Sequence, residues 1–186
     1  MNVYDFDKTI CFKDCTFGFW KYCIKQKPWL TLLLPIQIIG CIPYTLKLSN
    51  KLNAWWLYLR FLDVDEAFVR QFADKHEQHM CDWYLQQKQP SDIIVSASPK
   101  FLIQEFATRL GVSYVASDVD VKTGKYYQPA CSGREKVRQF RLVYPDAEVD
   151  ASYGNAESDQ YILEEGKHAY MVYNHNKHDA DFQQWH

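Results

Sequence analysis

Apolar and polar positions follow two different patterns in the two parts of the chain. From Asp92 onward, short apolar runs alternate with amphipathic stretches, which is typical of strand and helix units that wind a parallel sheet. We predict strands at residues 92–95, around residues 114–115, and at residues 149–153 and 169–173. A further short strand at the start of the chain ends before Asp5. These elements predict a five-stranded α/β core.

Helix boundaries carry their own signals. Ser98 is predicted to be an N-cap, because Pro99 stands at the first helical position and Gly111 closes the apolar-periodic stretch. Ser132 and Glu135 have the spacing of a capping box, which predicts a helix over residues 133–143. Another helix is expected to begin near Ser158.

The segment between Lys13 and Lys88 lacks strand alternation. Aromatic and aliphatic residues crowd into apparent helices that Pro28, Pro35 and Pro43 interrupt. We therefore expect an α/β fold with a Rossmann-like parallel sheet, built from residues 1–12 and 89–186. An all-helical cap, residues 13–88, is inserted into it.

Charge balance and cysteine usage bear on the binding partners and on the cellular compartment of the protein. The 186 residues include 21 Lys and Arg against 23 Asp and Glu, so the chain lacks the basic excess of a nucleic-acid-binding protein and no nucleic-acid partner is predicted. No signal peptide follows Met1, and the six cysteines form no CxxC pair, which favours a cytoplasmic protein with free, buried thiols. Histidines in a polar C-terminal tail are assigned no metal: His168, His175, His178 and His186.

Two carboxylates, Asp5 and Asp7, come directly after the first predicted strand. The carboxyl edge of an open parallel sheet is where such folds bind ligands. The first Asp can attack an electrophile, the second can transfer a proton, and the pair can hold a hard cation. A polar turn is the alternative for this string taken alone.

Four segments occur in a fixed order along the chain: Asp5-Phe6-Asp7-Lys8-Thr9, Ile93-Ile94-Val95-Ser96, Gly133-Arg134-Glu135-Lys136 and Tyr153-Gly154-Asn155-Ala156-Glu157-Ser158-Asp159. They resemble the motifs of the haloacid dehalogenase-like superfamily, whose members use an aspartate nucleophile. The insertion and residues 95–99 are similar to the phosphoserine-phosphatase-like branch, with some similarity to phosphatidylglycerophosphate phosphatases.

The resemblance implies a phosphomonoester phosphatase that uses Mg²⁺ and an aspartyl-phosphate. Asp5 is the implied nucleophile and Asp7 the implied acid and base. Because breaking a carbon–halogen bond would not require a second acid, Asp7 favours phosphoryl transfer over dehalogenation. Ser96 and Lys136 are implied to bind the phosphoryl group; Ser98 competes with Ser96 for this place. Implied substrate contacts are Thr9, Asp14 and Ala97, and implied metal ligands are Asp5, Asp7, Asn155 and Asp159.

The fourth motif departs from the family at Asn155, where the family normally has an Asp that binds magnesium. An amide oxygen brings less charge than a carboxylate, so weaker magnesium affinity is expected. The alternative function is a phosphate-ligand-binding protein with little or no turnover.

An uncharged stretch of 19 residues, residues 28–46, lies in the cap between basic flanks. One membrane crossing would separate Asp5 from Ser96, so a span is not expected. Two interpretations stay open: a cap that roofs the active site, or peripheral contact with the inner membrane face through residues such as Trp29, Leu33 and Trp55. The substrate is accordingly a phosphorylated small molecule or a lipid phosphate.

Overall fold

A computed structural model describes residues 1–36, 38 and 64–185 of the chain. Its described strands form one six-stranded sheet in the order β3-β2-β1-β4-β5-β6. Neighbouring strands are parallel except β5 and β6, which are antiparallel. The strands are β1 Asn2–Tyr4, β2 Ile93–Pro99, β3 Ser113–Ser117, β4 Val149–Gly154, β5 Gly166–Asn176 and β6 Asp179–Gln184.

Helices cover both faces of the sheet, which confirms the α/β fold class. They are α1 Cys15–Gln26, α2 Glu66–His76, α3 Asp82–Gln87, α4 Lys100–Leu110, α5 Arg134–Val143 and α6 Gln160–Leu163. Short 3-10 turns occupy Pro28–Leu33, Glu77–His79 and Glu157–Asp159. Strands buried on both faces explain the nearly continuous apolar runs in the sequence.

Alternate residues of the central strands supply two hydrophobic cores. Tyr4 and Ile94 pack with α1, α2 and α4 on one face, whereas Val3 and Ile93 pack with Phe140 of α5 on the other. Because β1 pairs parallel with both β2 and β4, the carboxyl ends of these three strands meet at one edge of the sheet.

Two helix caps differ from the sequence prediction. Helix α4 begins at Lys100, Pro99 takes the N-cap place without a side-chain hydrogen bond, and the Ser98 hydroxyl donates to Asp7 instead. Helix α5 has Gly133 at its N-cap and no side-chain cap. The Glu135 carboxylate accepts from Arg138 and Gln139 instead, because an arginine one turn ahead is a stronger partner than a main-chain amide.

The C-terminal segment also differs from the prediction. It is a hairpin, since β5 extends to Asn176 and β6 returns antiparallel beside it. Strand β6 is exposed at five of its six positions, so backbone pairing with β5, rather than burial of an apolar face, forms it.

Residues 13–36 and 64–88 contain helices and turns but no strand. Arg109 of α4 connects α2 to the core through ion pairs with Asp74 and Glu77 and a hydrogen bond to the Arg70 carbonyl. Among the described residues, no helix has the length and apolarity to cross a membrane. The predictions for Pro43, Trp55, His186, one of the six cysteines and residues 37 and 39–46 of the uncharged stretch lie outside the described residues.

Candidate active site

The first strand ends in a loop, residues 5–9, at the edge of the sheet where β1, β2 and β4 finish. The Asp5 amide donates to the Tyr153 carbonyl at 2.8 Å, which continues the pairing of β1 with β4. Lys8 has φ of +61°, a left-handed conformation that is uncommon for a residue with a side chain. The turn brings the side chain of Thr9 back to the Asp5 carboxylate.

Asp5 lies at the centre of a buried polar cluster. Its Oδ1 accepts from Lys136 Nζ at 2.6 Å, and its Oδ2 accepts from the Thr9 hydroxyl at 3.0 Å. Lys136 also donates to Asp159 Oδ1 at 2.5 Å. The ammonium of Lys136 therefore bridges the predicted nucleophile and the fourth motif.

Burial and the neighbouring charges shift the pKa values of Asp5 and Lys136 in opposite directions. Burial raises the pKa of the Asp5 carboxyl, and Lys136 lowers it by a smaller amount. Burial lowers the pKa of Lys136, but the adjacent carboxylates of Asp5 and Asp159 raise it more, so it stays protonated. The cluster thus keeps a positive charge at the carboxylate oxygen of Asp5.

Asp159 is engaged through both carboxylate oxygens. Oδ1 accepts from Lys136, and Oδ2 accepts from the amides of Asn155 and Ala156 at 3.2 Å each. A Cβ on Gly154 would lie 2.7 Å from Asp159 Cβ, so only glycine lets β4 approach this side chain so closely. Both carboxylate oxygens of Asp159 are thus occupied by hydrogen bonds within the site.

Asp7 is held by α1 and by the end of β2, whereas Asp5 is held by Lys136 of α5. Its Oδ1 accepts from the Cys15 amide at 2.6 Å, and its Oδ2 accepts from the Ser98 hydroxyl at 2.5 Å. The Ser98 oxygen also lies 2.6 Å from the Thr16 hydroxyl. Burial raises the pKa of Asp7, while the bonds from Ser98 and Cys15 partly offset this.

The other predicted residues belong to β2, which holds Ser96 and Ala97, and to the N-terminus of α1, where Asp14 lies. The Ser96 hydroxyl is fully buried and accepts from the Ser98 amide at 3.1 Å. The Ala97 carbonyl accepts from the Ser117 hydroxyl at 2.7 Å. Asp14 is the N-cap of α1, where Oδ1 accepts from the Phe17 amide at 2.8 Å.

Three residues that contact the site, Thr16, Ser117 and Asn174, carry no local signal in the sequence. Ser98 is predicted to be a helix N-cap, with binding of the phosphoryl group as the competing role, and neither prediction includes its contact with Asp7. The -SASP- string places two hydroxyls at strand positions i and i+2. Both hydroxyls of such a pair reach the same side of the strand.

The model of the haloacid dehalogenase-like hydrolase family matches residues 3–164 of the chain. The chain belongs to that family. The match includes all four motifs and the buried cluster around Asp5. No curated protein matches this hydrolase.

Solved structures share the fold of this hydrolase at low sequence identity. A protein of unknown function from Bordetella pertussis Tohama I is 14% identical, with a TM-score of 0.61 over 88% of this chain and 85% of that one. A HAD family hydrolase from Salmonella enterica serovar Typhi is 13% identical, with a TM-score of 0.60 over 88% and 59%. A phosphoserine phosphohydrolase-like protein from Francisella tularensis is 18% identical, with a TM-score of 0.52 over 89% and 83%.

The family implies magnesium, and the oxygen atoms around Thr9 fit such an ion. Asp5 Oδ2 and Asn155 Oδ1 lie 3.0 and 3.4 Å from the Thr9 hydroxyl, so a carboxylate and an amide oxygen converge. Mg²⁺ typically takes one or two carboxylates together with waters and substrate phosphate. Within the described ranges, no three or more His, Cys, Asp or Glu side chains are grouped so that they could hold a metal ion.

Proposed function

We propose that this hydrolase is a phosphomonoester phosphatase that works through an aspartyl-phosphate on Asp5. The observation that carries the proposal is the buried Lys136 ammonium between Asp5 and Asp159. A phosphomonoester is a dianion, so an anionic nucleophile needs fixed positive charge beside it. Lys136 supplies that charge where the phosphoryl group would meet Asp5.

Each carboxylate has surroundings suited to a different role. Asp5 attacks phosphorus through one carboxylate oxygen, and the bond to the leaving oxygen breaks. Asp7, whose pKa is raised by burial, gives a proton to that leaving oxygen. It then takes a proton from the water that attacks the aspartyl-phosphate, which restores Asp5 and releases phosphate. Ser96 and the amides near Phe6 and Ala97 hold the phosphoryl oxygens.

We assign Asp5 and Asn155 as the side chains that would hold Mg²⁺, and Asp7 as a further candidate ligand. When bound, Mg²⁺ supplies positive charge that offsets repulsion between Asp5 and the phosphate. Asp159 orients Lys136 and the amides of the fourth motif. The Thr9 hydroxyl orients Oδ2, the oxygen of Asp5 that does not bind Lys136.

Residues 13–88 are proposed to form the cap that receives the leaving group. The Phe17 and Trp20 rings of α1 stack with their centroids 5.5 Å apart, and the same helix begins at Cys15, whose amide binds Asp7. An aromatic surface there suits a bulky apolar leaving group, so a lipid phosphate is the favoured substrate class. Exposed apolar side chains at Trp29, Leu32 and Ile36 support peripheral contact of a cytoplasmic protein with the membrane.

Release of phosphate from a panel of esters tests this function. Wild-type protein with millimolar Mg²⁺ is expected to hydrolyse an aryl phosphate, and to prefer a lipid phosphate in detergent micelles over soluble phosphoserine or sugar phosphates. Asp5→Asn should lower turnover by about 10³-fold or more. Asp150→Asn, the same change at an exposed Asp that pairs with the N-terminus, should have no effect. Equal turnover by Asp5→Asn would exclude the mechanism.

A non-catalytic phosphate-binding function is the second candidate, and Asn155 is the observation that favours it. In that case the wild type would bind phosphate esters without turnover, and Asn155→Asp would gain activity. Under the phosphatase proposal, Asn155→Asp instead lowers the Mg²⁺ concentration for half-maximal activity of an already active enzyme, by about tenfold, because a carboxylate adds charge to the site. A magnesium titration of both proteins separates the two functions.

A further inference from the structure

Asn174, in β5, contacts the main chain of the loop that carries Asp5 and Asp7. Its Nδ2 donates to the carbonyls of Lys8 and Thr9, both at 2.7 Å. Asn174 is 165 residues away in sequence from Thr9 and lies beyond the family match. One side chain therefore connects the hairpin to the loop after β1.

The orientation of the Asn174 amide is fixed by a third contact. Trp83 Nε1 lies 3.2 Å from Asn174 Oδ1, and an indole N–H can only donate. The oxygen of the amide must therefore face Trp83, which leaves both Nδ2 hydrogens for the two loop carbonyls. All the polar atoms of the side chain are used in this arrangement.

Trp83 is itself held against the hairpin. The Asp82 amide donates to the Lys177 carbonyl at 2.8 Å, and the Asp82 carboxylate contacts His178 Nδ1 at 2.6 Å. The Trp83 ring packs edge-on against Phe182, with centroids 5.0 Å apart. Helix α3 and the hairpin thus form a fixed support for Asn174.

The loop needs such support at the residues that Asn174 contacts. Lys8 has a left-handed backbone, which persists only where the surrounding structure holds it. Thr9 follows it directly, and its hydroxyl orients Asp5 Oδ2. A shift of the Thr9 main chain would move that hydroxyl and turn the Asp5 carboxylate away from the line of attack.

We infer that Asn174 is a positioning residue for the reaction of Asp5, and that Trp83 sets the orientation of its amide. This inference rests on the proposed phosphatase function. It assigns to the hairpin, β5 with β6, a role in holding the catalytic loop.

Two substitutions remove the contacts separately. Asn174→Asp keeps the shape and the acceptor for Trp83 but places a carboxylate oxygen against two carbonyls. It should lower kcat by about 10- to 100-fold with KM within about threefold, because misplacement of a reacting group acts on the chemical step. Trp83→Phe retains an aromatic ring against Phe182 and removes the donor together with part of the ring area. Both contacts of Asn174 with the loop remain, so a smaller fall in kcat, of about three- to tenfold, is expected. Tyr173→Phe, which deletes a hydrogen bond to Gln183 within the hairpin, is the matched control with unchanged kcat.

Hydrogen exchange of the peptide spanning residues 6–12 gives a readout that needs no activity. Faster exchange in Asn174→Asp and Trp83→Phe, but not in Tyr173→Phe, supports the inference. Wild-type kcat in both variants, or unchanged exchange, overturns it; if Asn174→Asp does not fold, Trp83→Phe decides alone. If the wild type has no turnover, the proposed function fails, and the exchange result decides separately whether Asn174 holds the loop.

Discussion

The Ser98 hydroxyl lies between Asp7 and Thr16, 2.5 and 2.6 Å from their side-chain oxygens. Since the Cys15 amide binds the other oxygen of Asp7, the carboxylate has little rotational freedom. A general acid contributes to rate only when it is held within reach of the leaving oxygen. Ser98 therefore belongs functionally with Asp7 rather than with helix α4.

Replacing Ser98 by alanine tests that assignment. Ser98→Ala should lower kcat by about 10- to 100-fold for an alkyl phosphate, because such a leaving group depends on protonation by Asp7. The loss should be smaller for an aryl phosphate, whose leaving group is a weaker base. Steady-state kinetics with the two ester types measure the difference.

Ser113→Ala, at the exposed start of β3, is the control and should leave both rates unchanged. A helix N-cap role for Ser98 would instead cost about 1 kcal/mol of stability and leave kcat of the folded protein alone. Equal rates for wild type and Ser98→Ala with both esters would contradict the positioning role.

The sequence alone predicts only some of the residues that form the site. Asp5, Lys136 and Asp159 were found because each belongs to a motif with a fixed order along the chain, and the structure joins them through the Lys136 ammonium. The cap role predicted for Ser98 is wrong, because a serine before a proline has the same local pattern in a helix cap and at a strand end. Only the tertiary approach of α1 distinguishes the two. The competing role in phosphoryl binding stays a prediction.

At the scale of elements, α1 and α2 pack through a histidine. A Cβ on Gly18 would lie 2.8 Å from His76 Cε1, and the His76 ring packs on Phe72 at 4.9 Å. His76 Nε2 is buried without a hydrogen-bond partner. Burial lowers the pKa of His76 to about 4, so the folded protein holds the neutral ring.

This packing predicts a loss of stability in acid. His76 takes up a proton near pH 6.5 in the unfolded chain and only near pH 4 in the folded protein. The free energy of unfolding is therefore unaffected by His76 above pH 7 and falls as the pH drops between these values. The loss amounts to about 2 kcal/mol at pH 5.

Urea denaturation at pH 7.5, 6 and 5 measures this dependence. His76→Leu removes the titrating group, so the decrease between pH 7.5 and pH 5 should be about 2 kcal/mol smaller than in the wild type. Subtracting the two proteins cancels the other titrating groups. An identical decrease in both would show that the protonation of His76 is not coupled to folding.

Local patterns located most elements but missed the hairpin. Strands β1 to β4 and helix α5 lie close to their predicted positions, because each has an apolar run or periodicity that tertiary packing reinforces. Strand β6 has the sequence DADFQQ, in which polar and apolar residues alternate over only five positions and Phe182 is the one large apolar residue. This pattern is too short and too polar to predict a strand, and backbone pairing with β5 forms it.

At the scale of the whole molecule, one edge of the sheet collects groups from the full length of the chain. Asp5 and Asp7 come from the first loop, Lys136 from α5 and Asn155 from the end of β4. The hairpin contacts the same loop from the outside through Asn174. Because these groups derive from distant segments, the site exists only in the folded protein.

The most direct test of this account is to trap the phosphoryl group on Asp5. Asp7→Asn keeps the nucleophile and Lys136 but lacks the base that activates water, so hydrolysis of the aspartyl-phosphate should be slower than its formation from an aryl phosphate. Acid-quenched protein, digested and analysed by mass spectrometry, should carry at most one phosphoryl group per chain, located on Asp5. Asp5→Asn/Asp7→Asn should carry none. A phosphoryl group on another residue, or turnover by Asp7→Asn at the wild-type rate, would contradict the account.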